Sequence, residues 1–219
     1  MGGTDLMKKV LRPAVVRYSI YNRKKKAESI SAFMTEHGVD TILLVGTTGT
    51  VDNAAANEDV VEEAVAIGRT VKMGINIRPV VSPYPFTVAD GCDMPFEDDY
   101  VDCALANAII EHVGDEAQQA RFVAEQTRVA KTWVITTPNR WFPVESHTSV
   151  LFLHWLPAWR EKRNEFTRLL SRREFSDLLP EGVRLTGHWW SPTFVAYYAG
   201  ELPGSRPAGR PRSARVDGS

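Results

Sequence analysis

The stretch VADGCDMPFEDDYVDCALANAIIEHV, residues 88–113, decides the fold. It reads as a short strand ending at Asp90, a turn on Met94-Pro95-Phe96, an acidic loop Glu97-Asp98-Asp99, and a second strand over residues 101–106. Asn107 then opens a segment that ends in Glu111-His112. An acidic residue with flexible backbone at the end of one strand, and a polar residue at the end of the next, suit a nucleoside-shaped ligand. Open α/β sheets bind such ligands in the crevice outside the carboxyl ends of their strands.

Upstream, the first 26 residues are basic, with Lys8, Lys9, Arg12, Arg17 and the run from Arg23 to Lys26 interleaved with Tyr18 and Tyr21. A helical pattern covers residues 24–36, with Ile30, Phe33 and Met34 on one face and Gly38 placed as its C-cap. Residues 41–45 form a continuous apolar run closed by Gly46, the pattern of a parallel strand buried on both faces. A second helix is predicted over residues 57–67 and a strand over 70–75, and the three prolines of residues 78–85 mark a loop before the strand at 86–89.

Downstream, residues 115–129 read as a helix with Phe122, Val123 and Val129 facing inward, and residues 133–136 as a strand stopped by Pro138. Residues 141–170 are rich in Trp, His and Leu without clean periodicity, which suits a cap inserted over a site. Ser171 with Glu174 three residues on forms a capping box. Residues 183–190 and 193–198 read as an antiparallel pair around Ser191-Pro192. The Pro, Gly, Ser and Arg content from Gly200 onward predicts a disordered tail, 200–219. Strands and helices thus alternate, and the seven predicted strands imply an α/β fold: a mostly parallel sheet, helices on both faces, and an antiparallel edge hairpin.

Bulk properties narrow the class. At 219 residues, 43% apolar and 24% charged, the chain fits a single soluble domain with appendages. No apolar run approaches the roughly 18 residues of a membrane span, and the N-terminus lacks a signal-peptide pattern, so a cytoplasmic protein is expected. A net charge of −1 gives no argument for a nucleic-acid partner. Two cysteines, Cys92 and Cys103, make neither a disulfide framework nor a metal cluster, and no metal is expected.

At this point the residues resemble a family. Asp90-Gly91-Cys92-Asp93-Met94-Pro95-Phe96, then Tyr100-Val101-Asp102, Asn107 and Ile110-Glu111-His112 are similar to the pattern of class I S-adenosylmethionine-dependent methyltransferases of the small-molecule, type 11 kind. Residues 122–148, with the run TPNRWFPVESHT, resemble one subgroup. The resemblance covers residues 26–199 and implies a Rossmann-like domain over 27–199, preceded by a basic extension over 1–26. It implies S-adenosylmethionine as cofactor and a small-molecule, glycan-like or lipid-like methyl acceptor. Two positions depart from the pattern. The loop Gly46-Thr47-Thr48-Gly49-Thr50 keeps the first glycine but has threonine where the family places later ones, and Asn76 stands where an acid normally accepts from the ribose hydroxyls.

The resemblance assigns cofactor contacts to Gly46, Thr47, Thr48, Asn76, Ile77, Asp90, Gly91, Cys92, Ala106 and Asn107. Asp90 would accept from the adenine amine, with Gly91 and Cys92 along the adenine edge; as a turn aspartate it would instead cap its own loop. For proton transfer, needed only where the acceptor is a weak acid, His112 and His147 are the candidates, with Glu145 placed to orient His147. Each has an alternative: helix-end capping for His112, backbone bonding for His147, a solvated carboxylate for Glu145. Trp141, Phe142, Trp155 and Trp159 would line an acceptor pocket or pack in a core. Beside the enzyme stand a non-catalytic relative serving as a partner subunit, motivated by Asn76 and the altered loop, and a nicotinamide-dependent oxidoreductase, which the missing G-x-G-x-x-G disfavours.

Overall fold

The computed structural model describes residues 3–47, 59–142 and 167–200, with the side chains of the first helix described from Arg17 onward. In chain order the elements are α1 (Gly3–Glu36), β1 (Thr41–Val45), α2 (Asp59–Ala66), β2 (Thr70–Asn76), β3 (Phe86–Val88), β4 (Val101–Asn107), a 3-10 turn (Ile110–His112), α3 (Glu116–Val129), β5 (Ala130–Pro138), α4 (Arg172–Asp177), β6 (Arg184–Thr186) and β7 (Thr193–Ala199). Thr48, Glu145, His147, His154, Trp155, Trp159, most of the expected cap and the tail beyond Gly200 lie outside the described residues.

Local chemistry explains the ends of these elements. Helix α1 stops at Gly38, whose φ of +61° suits glycine. Val39 N–H donates to Met34 O and Gly38 N–H to Thr35 O, the paired bonds of a Schellman cap. Asp115 caps α3 and Ser171 caps α4, each through a complete capping box, with Gln118 and Glu174 as the returning side chains. Helix α1 starts well before residue 24, where its apolar face begins, so the basic segment is continuous with it.

The seven strands form one sheet in the order β3-β2-β1-β4-β5-β7-β6. Neighbours from β3 through β5 pair in parallel, and β7 runs antiparallel to both β5 and β6. The expected antiparallel hairpin is therefore present, with its second strand wedged inward and β6 on the edge. Strand β6 is shorter than the apolar pattern of residues 183–190 suggests. Gly187 takes φ +102° directly after it, and His188 and Ser191 close a turn on each other.

Consecutive strand residues face opposite sides, as the two-residue period requires. Ile42, Leu44, Cys103, Leu105, Val134, Val195 and Tyr197 pack under Ala27, Ile30, Phe33 and Met34 of α1 and Val61 and Val65 of α2. Leu43, Val45, Ala104, Ala106, Trp133, Ile135 and Phe194 pack under Phe122 and Val123 of α3 and Phe175 of α4. The chain builds β1, β2 and β3 outward in one direction and then returns to place β4 on the other side of β1. That reversal is a topological switch point, and it puts the crevice at the carboxyl ends of β1 and β4. Among the described residues no helix is long and apolar enough to cross a membrane.

Candidate functional site

At the exit of β1, Gly46 adopts φ +79°, a conformation open to glycine. Its N–H and that of Thr47 both donate to Ile75 O, at 2.8 and 3.1 Å, folding the exit of β1 across the end of β2. A Cβ on Gly46 would collide with the Ile109 side chain, so glycine is what lets the β1 exit approach the segment after β4. Thr47 is buried and donates through Oγ1 to Glu62 Oε2 of α2 at 2.8 Å.

Asn76 ends β2 and stitches three strand exits together. Its Nδ2 donates to Thr47 O at 2.9 Å, its Oδ1 accepts from Arg78 N–H at 3.0 Å, and its backbone O accepts from Ala89 N–H after β3 at 3.0 Å. The bond to a carbonyl fixes which end of the amide points where, since only the NH2 can donate. Next to it Ile77 is 68% exposed, an apolar side chain standing open at the strand end.

Asp90 lies on the neighbouring turn. Its Oδ1 accepts from Cys92 N–H at 2.8 Å and its O accepts from Asp93 N–H at 3.1 Å, an Asx turn that holds the backbone of Gly91 and Cys92 in place. A Cβ on Gly91 would sit 2.7 Å from Phe122 Cε2, so this turn lies directly on α3. Burial first, and then the charge of Asp90, push the Cys92 thiol up to about 11, which keeps it neutral near pH 7 and unsuited to act as a nucleophile. Arg128 of α3 clamps the following turn, donating to Phe96 O at 2.7 Å and Met94 O at 3.0 Å while paired with Glu125 and Asp98.

The end of β4 is the most densely bonded part of the crevice. Ala106 is fully buried, and Asn107 is 8% exposed. Asn107 Oδ1 accepts from Lys26 Nζ of α1 at 2.7 Å and from Thr136 Oγ1 of β5 at 2.9 Å. Thr136 Oγ1 in turn accepts from Ala108 N–H at 3.0 Å. Ala108 holds φ +58°, a left-handed conformation that costs a non-glycine residue of order 1 kcal/mol or more and persists where surrounding bonds over-determine it. Beyond it, Glu111 is completely buried and accepts from Thr137 Oγ1 at 3.2 Å. His112 is exposed, with Nδ1 3.5 Å from Thr167 Oγ1.

Gly46, Thr47, Asn76, Ile77, Asp90, Gly91, Cys92, Ala106 and Asn107 thus all lie at the carboxyl ends of β1, β2 and β4 or on the turn after β3. Lys26, Glu62 and Thr136 join them without having been singled out from the sequence. For Lys26 a signal existed: it precedes Ile30 by one helical turn and Phe33 by two, on the stripe that faces the sheet. Among the described residues no group of three or more His, Cys, Asp or Glu could hold a metal.

An open sheet ordered 3-2-1-4-5-7-6, with β7 alone reversed and a glycine turn at the switch point, defines the class I methyltransferase architecture. Residues 46–133, from the β1 exit into β5, match the family model described as Methyltransferase domain. That match marks residues 46–133 as similar to a methyltransferase domain of the type 11 kind. Among solved structures it is similar to a protein from Pyrococcus horikoshii OT3, at 12% identity over 83% of this chain and 91% of that one, with a TM-score of 0.52. That likeness shows the fold. It is also similar to a Haloferax volcanii protein solved in complex with the Trm112 methyltransferase activator (16% identity, 84% and 97% covered, TM-score 0.49). A SAM-dependent methyltransferase from Methanosarcina mazei gives 16% identity, 74% and 94% covered, and a TM-score of 0.47. No curated protein matches this sequence.

S-adenosylmethionine is the cofactor of this class, and the residues present fit it. The bare backbone at Gly46, the exposed apolar face of Ile77, the Asx turn at Asp90 and the amide of Asn107 offer a nucleoside-bearing molecule both apolar and polar contacts along one crevice.

Proposed function

We propose that this chain transfers the methyl group of S-adenosylmethionine to a small-molecule acceptor of glycan-like or lipid-like kind. The observation that carries the reading is the convergence, at the switch point of the sheet, of the left-handed Gly46 turn with the Asp90 turn and the polar end of β4. The subgroup resemblance of residues 138–148 supports the acceptor class.

In this reading Asp90 holds the adenine amine, with Gly91 and Cys92 along the ring. Gly46 and Thr47 carry the backbone turn beneath the cofactor, and Thr48 is a further contact to it. Asn76 and Ile77 flank the ribose, and Ala106 and Asn107 face the methionyl part. When bound, S-adenosylmethionine supplies an electrophilic methyl group on a sulfonium. The protein's part is alignment: strand ends tied by Asn76 and Thr136 hold their side chains in one geometry before the acceptor arrives, and alignment supplies a large share of the acceleration in such displacements. Where the acceptor atom is a hydroxyl, His112 or His147 takes its proton, with Glu145 orienting His147.

A second reading, a non-catalytic partner subunit of the same fold, is favoured by one feature: both ends of the Asn76 amide are engaged within the protein. Calorimetric titration with S-adenosylmethionine and S-adenosylhomocysteine, with NADH as control, separates the two. Binding of both, weakened at least tenfold by Asp90→Ala, is expected. Folded protein that binds neither would give the second reading the field.

A further inference from the structure

Helix α1 carries its charge at one end. Between Leu6 and Ala27 the sequence has eight Lys or Arg residues and no Asp or Glu, in a chain whose net charge is −1. Among the described side chains of α1, the buried stripe begins only at Ala27 and runs through Ile30, Phe33 and Met34. By Lys26, whose ammonium is engaged at Asn107, the helix has reached the carboxyl end of β4. Further back, Tyr18 stacks on Phe142, just past the carboxyl end of β5, with ring centroids 6.4 Å apart. The helix starts at Gly3, so at 1.5 Å per residue it continues for roughly 35 Å before Lys26. What this part shows to water is mixed: Arg17, Lys24 and Lys25 are exposed, and so are Tyr18, Ile20 and Tyr21. Lys25 Nζ lies 4.9 Å from the centre of the Tyr21 ring, so cation and aromatic share a face one turn apart.

A second exposed aromatic element sits at the same end of the sheet. Thr193 of β7 pairs with Pro138 at the end of β5, which puts the turn before β7 at the carboxyl end of β5. Buried Asn139 pins that turn, its Nδ2 donating to Trp189 O at 2.7 Å and Ser191 O at 2.9 Å. The indoles are nevertheless left in water, Trp189 72% and Trp190 58% exposed, packed edge to face with centroids 5.2 Å apart. Two adjacent indoles exposed on a pinned turn form an apolar patch for which folding gives no reason.

We infer that the amino-terminal part of α1 and the Trp189-Trp190 turn dock this protein on an anionic lipid surface. The cations complement lipid phosphates, and tyrosine and tryptophan have the apolar body and polar tip that the headgroup boundary selects. A nucleic-acid backbone would reward the cations alone. Ile20 offers no face for base stacking, and in the indole pair one ring's edge covers the other's face. The inference deepens the methyl-transfer reading and, for the acceptor, rests on it: the crevice opens at the docked end, where a lipid-like acceptor is within the surface itself.

The test is co-sedimentation of the full chain, without cofactor, with vesicles of phosphatidylcholine alone or with a quarter phosphatidylglycerol, at low and high salt. Wild type is expected to bind only the anionic vesicles, with partitioning that falls at least tenfold at high salt. Combined Arg17→Gln, Lys24→Gln and Lys25→Gln should lower it at least tenfold at low salt. Combined Trp189→Ser and Trp190→Ser should lower it several-fold, with affinity for S-adenosylhomocysteine within twofold of wild type in both variants. Should a variant not fold, the response of wild type to vesicle charge and salt still decides. Wild type that ignores both vesicles or binds them equally, or a charge variant that partitions like wild type, would overturn the docking. So would tight binding of an RNA or duplex DNA oligonucleotide by protein that leaves the vesicles alone, which would assign the basic helix to nucleic acid. Protein that binds anionic vesicles but not S-adenosylhomocysteine upholds the docking and counts against methyl transfer.

Discussion

Asn76 shows how one amide can change the meaning of a strand end. An acid in its place would accept from ribose hydroxyls, and from the sequence alone Asn76→Asp looks like a repair. The structure predicts otherwise. Asn76 Nδ2 donates to Thr47 O, and a carboxylate there would set two acceptors against each other across 2.9 Å. Losing that bond and opposing two oxygens is expected to lower stability by about 1–2 kcal/mol, with no gain in affinity for S-adenosylhomocysteine. Urea unfolding and calorimetry on Asn76→Asp check both parts; a tenfold tighter complex would mean that ribose contacts outweigh the turn. Lys26 teaches the complementary lesson. A lysine in a basic run reads as a solvated face until the sheet shows which strand end it reaches, so its spacing from Ile30 was visible and its partner was not.

Among elements, those whose reasons are local could be read directly. Residues 42–45 are apolar throughout because β1 is buried on both faces there, and Ser171 with Glu174 announces its capping box three residues apart. Strand β5 is longer than its apolar core at residues 133–136, because Ala130 through Thr132 and Thr137-Pro138 join the sheet through register with β4 and β7, a long-range cause. The turn Met94-Pro95-Phe96 is a further case: its residues mark a turn, but what holds it is Arg128, some thirty positions on. That guanidinium donates to two backbone carbonyls and pairs with two carboxylates. Arg128→Ala is expected to destabilise the protein by about 2–3 kcal/mol, counting charge-assisted bonds lost and carbonyls left unmet. By freeing the turn after Asp90, it should also weaken S-adenosylhomocysteine several-fold. Arg128→Lys should recover little of either, because a point charge cannot reproduce the planar fork. Full recovery by lysine would show that charge rather than geometry holds the turn.

Across the whole molecule the sheet divides its labour between its two ends. The carboxyl ends of the strands carry the proposed site, while the opposite ends of β1, β4 and β5 are tied by Asp102. Its carboxylate accepts from Thr41 N–H at 3.0 Å, Thr41 Oγ1 at 2.7 Å and Lys131 Nζ at 2.7 Å. Burial alone would raise its pKa; the bonds from Lys131 and Thr41 outweigh that and bring it down to about 2. A depressed native pKa stabilises the fold wherever the unfolded chain's aspartate is also ionised, above its ordinary value of roughly 3.9. That contribution is then lost as pH falls from about 4 to about 2. With a carboxylate partly open to solvent the full shift is discounted, leaving about 1–2 kcal/mol. Asp102→Asn is therefore expected to lose that amount at pH 7 in urea unfolding and to flatten the decline of stability between about pH 4 and pH 2. Affinity for S-adenosylhomocysteine at pH 7 should not change, because strands of this length set Asp102 roughly 15–20 Å from the crevice. A variant whose acid sensitivity matches wild type would place the proton uptake elsewhere, while one that lost cofactor affinity would show that the two ends of the sheet are coupled.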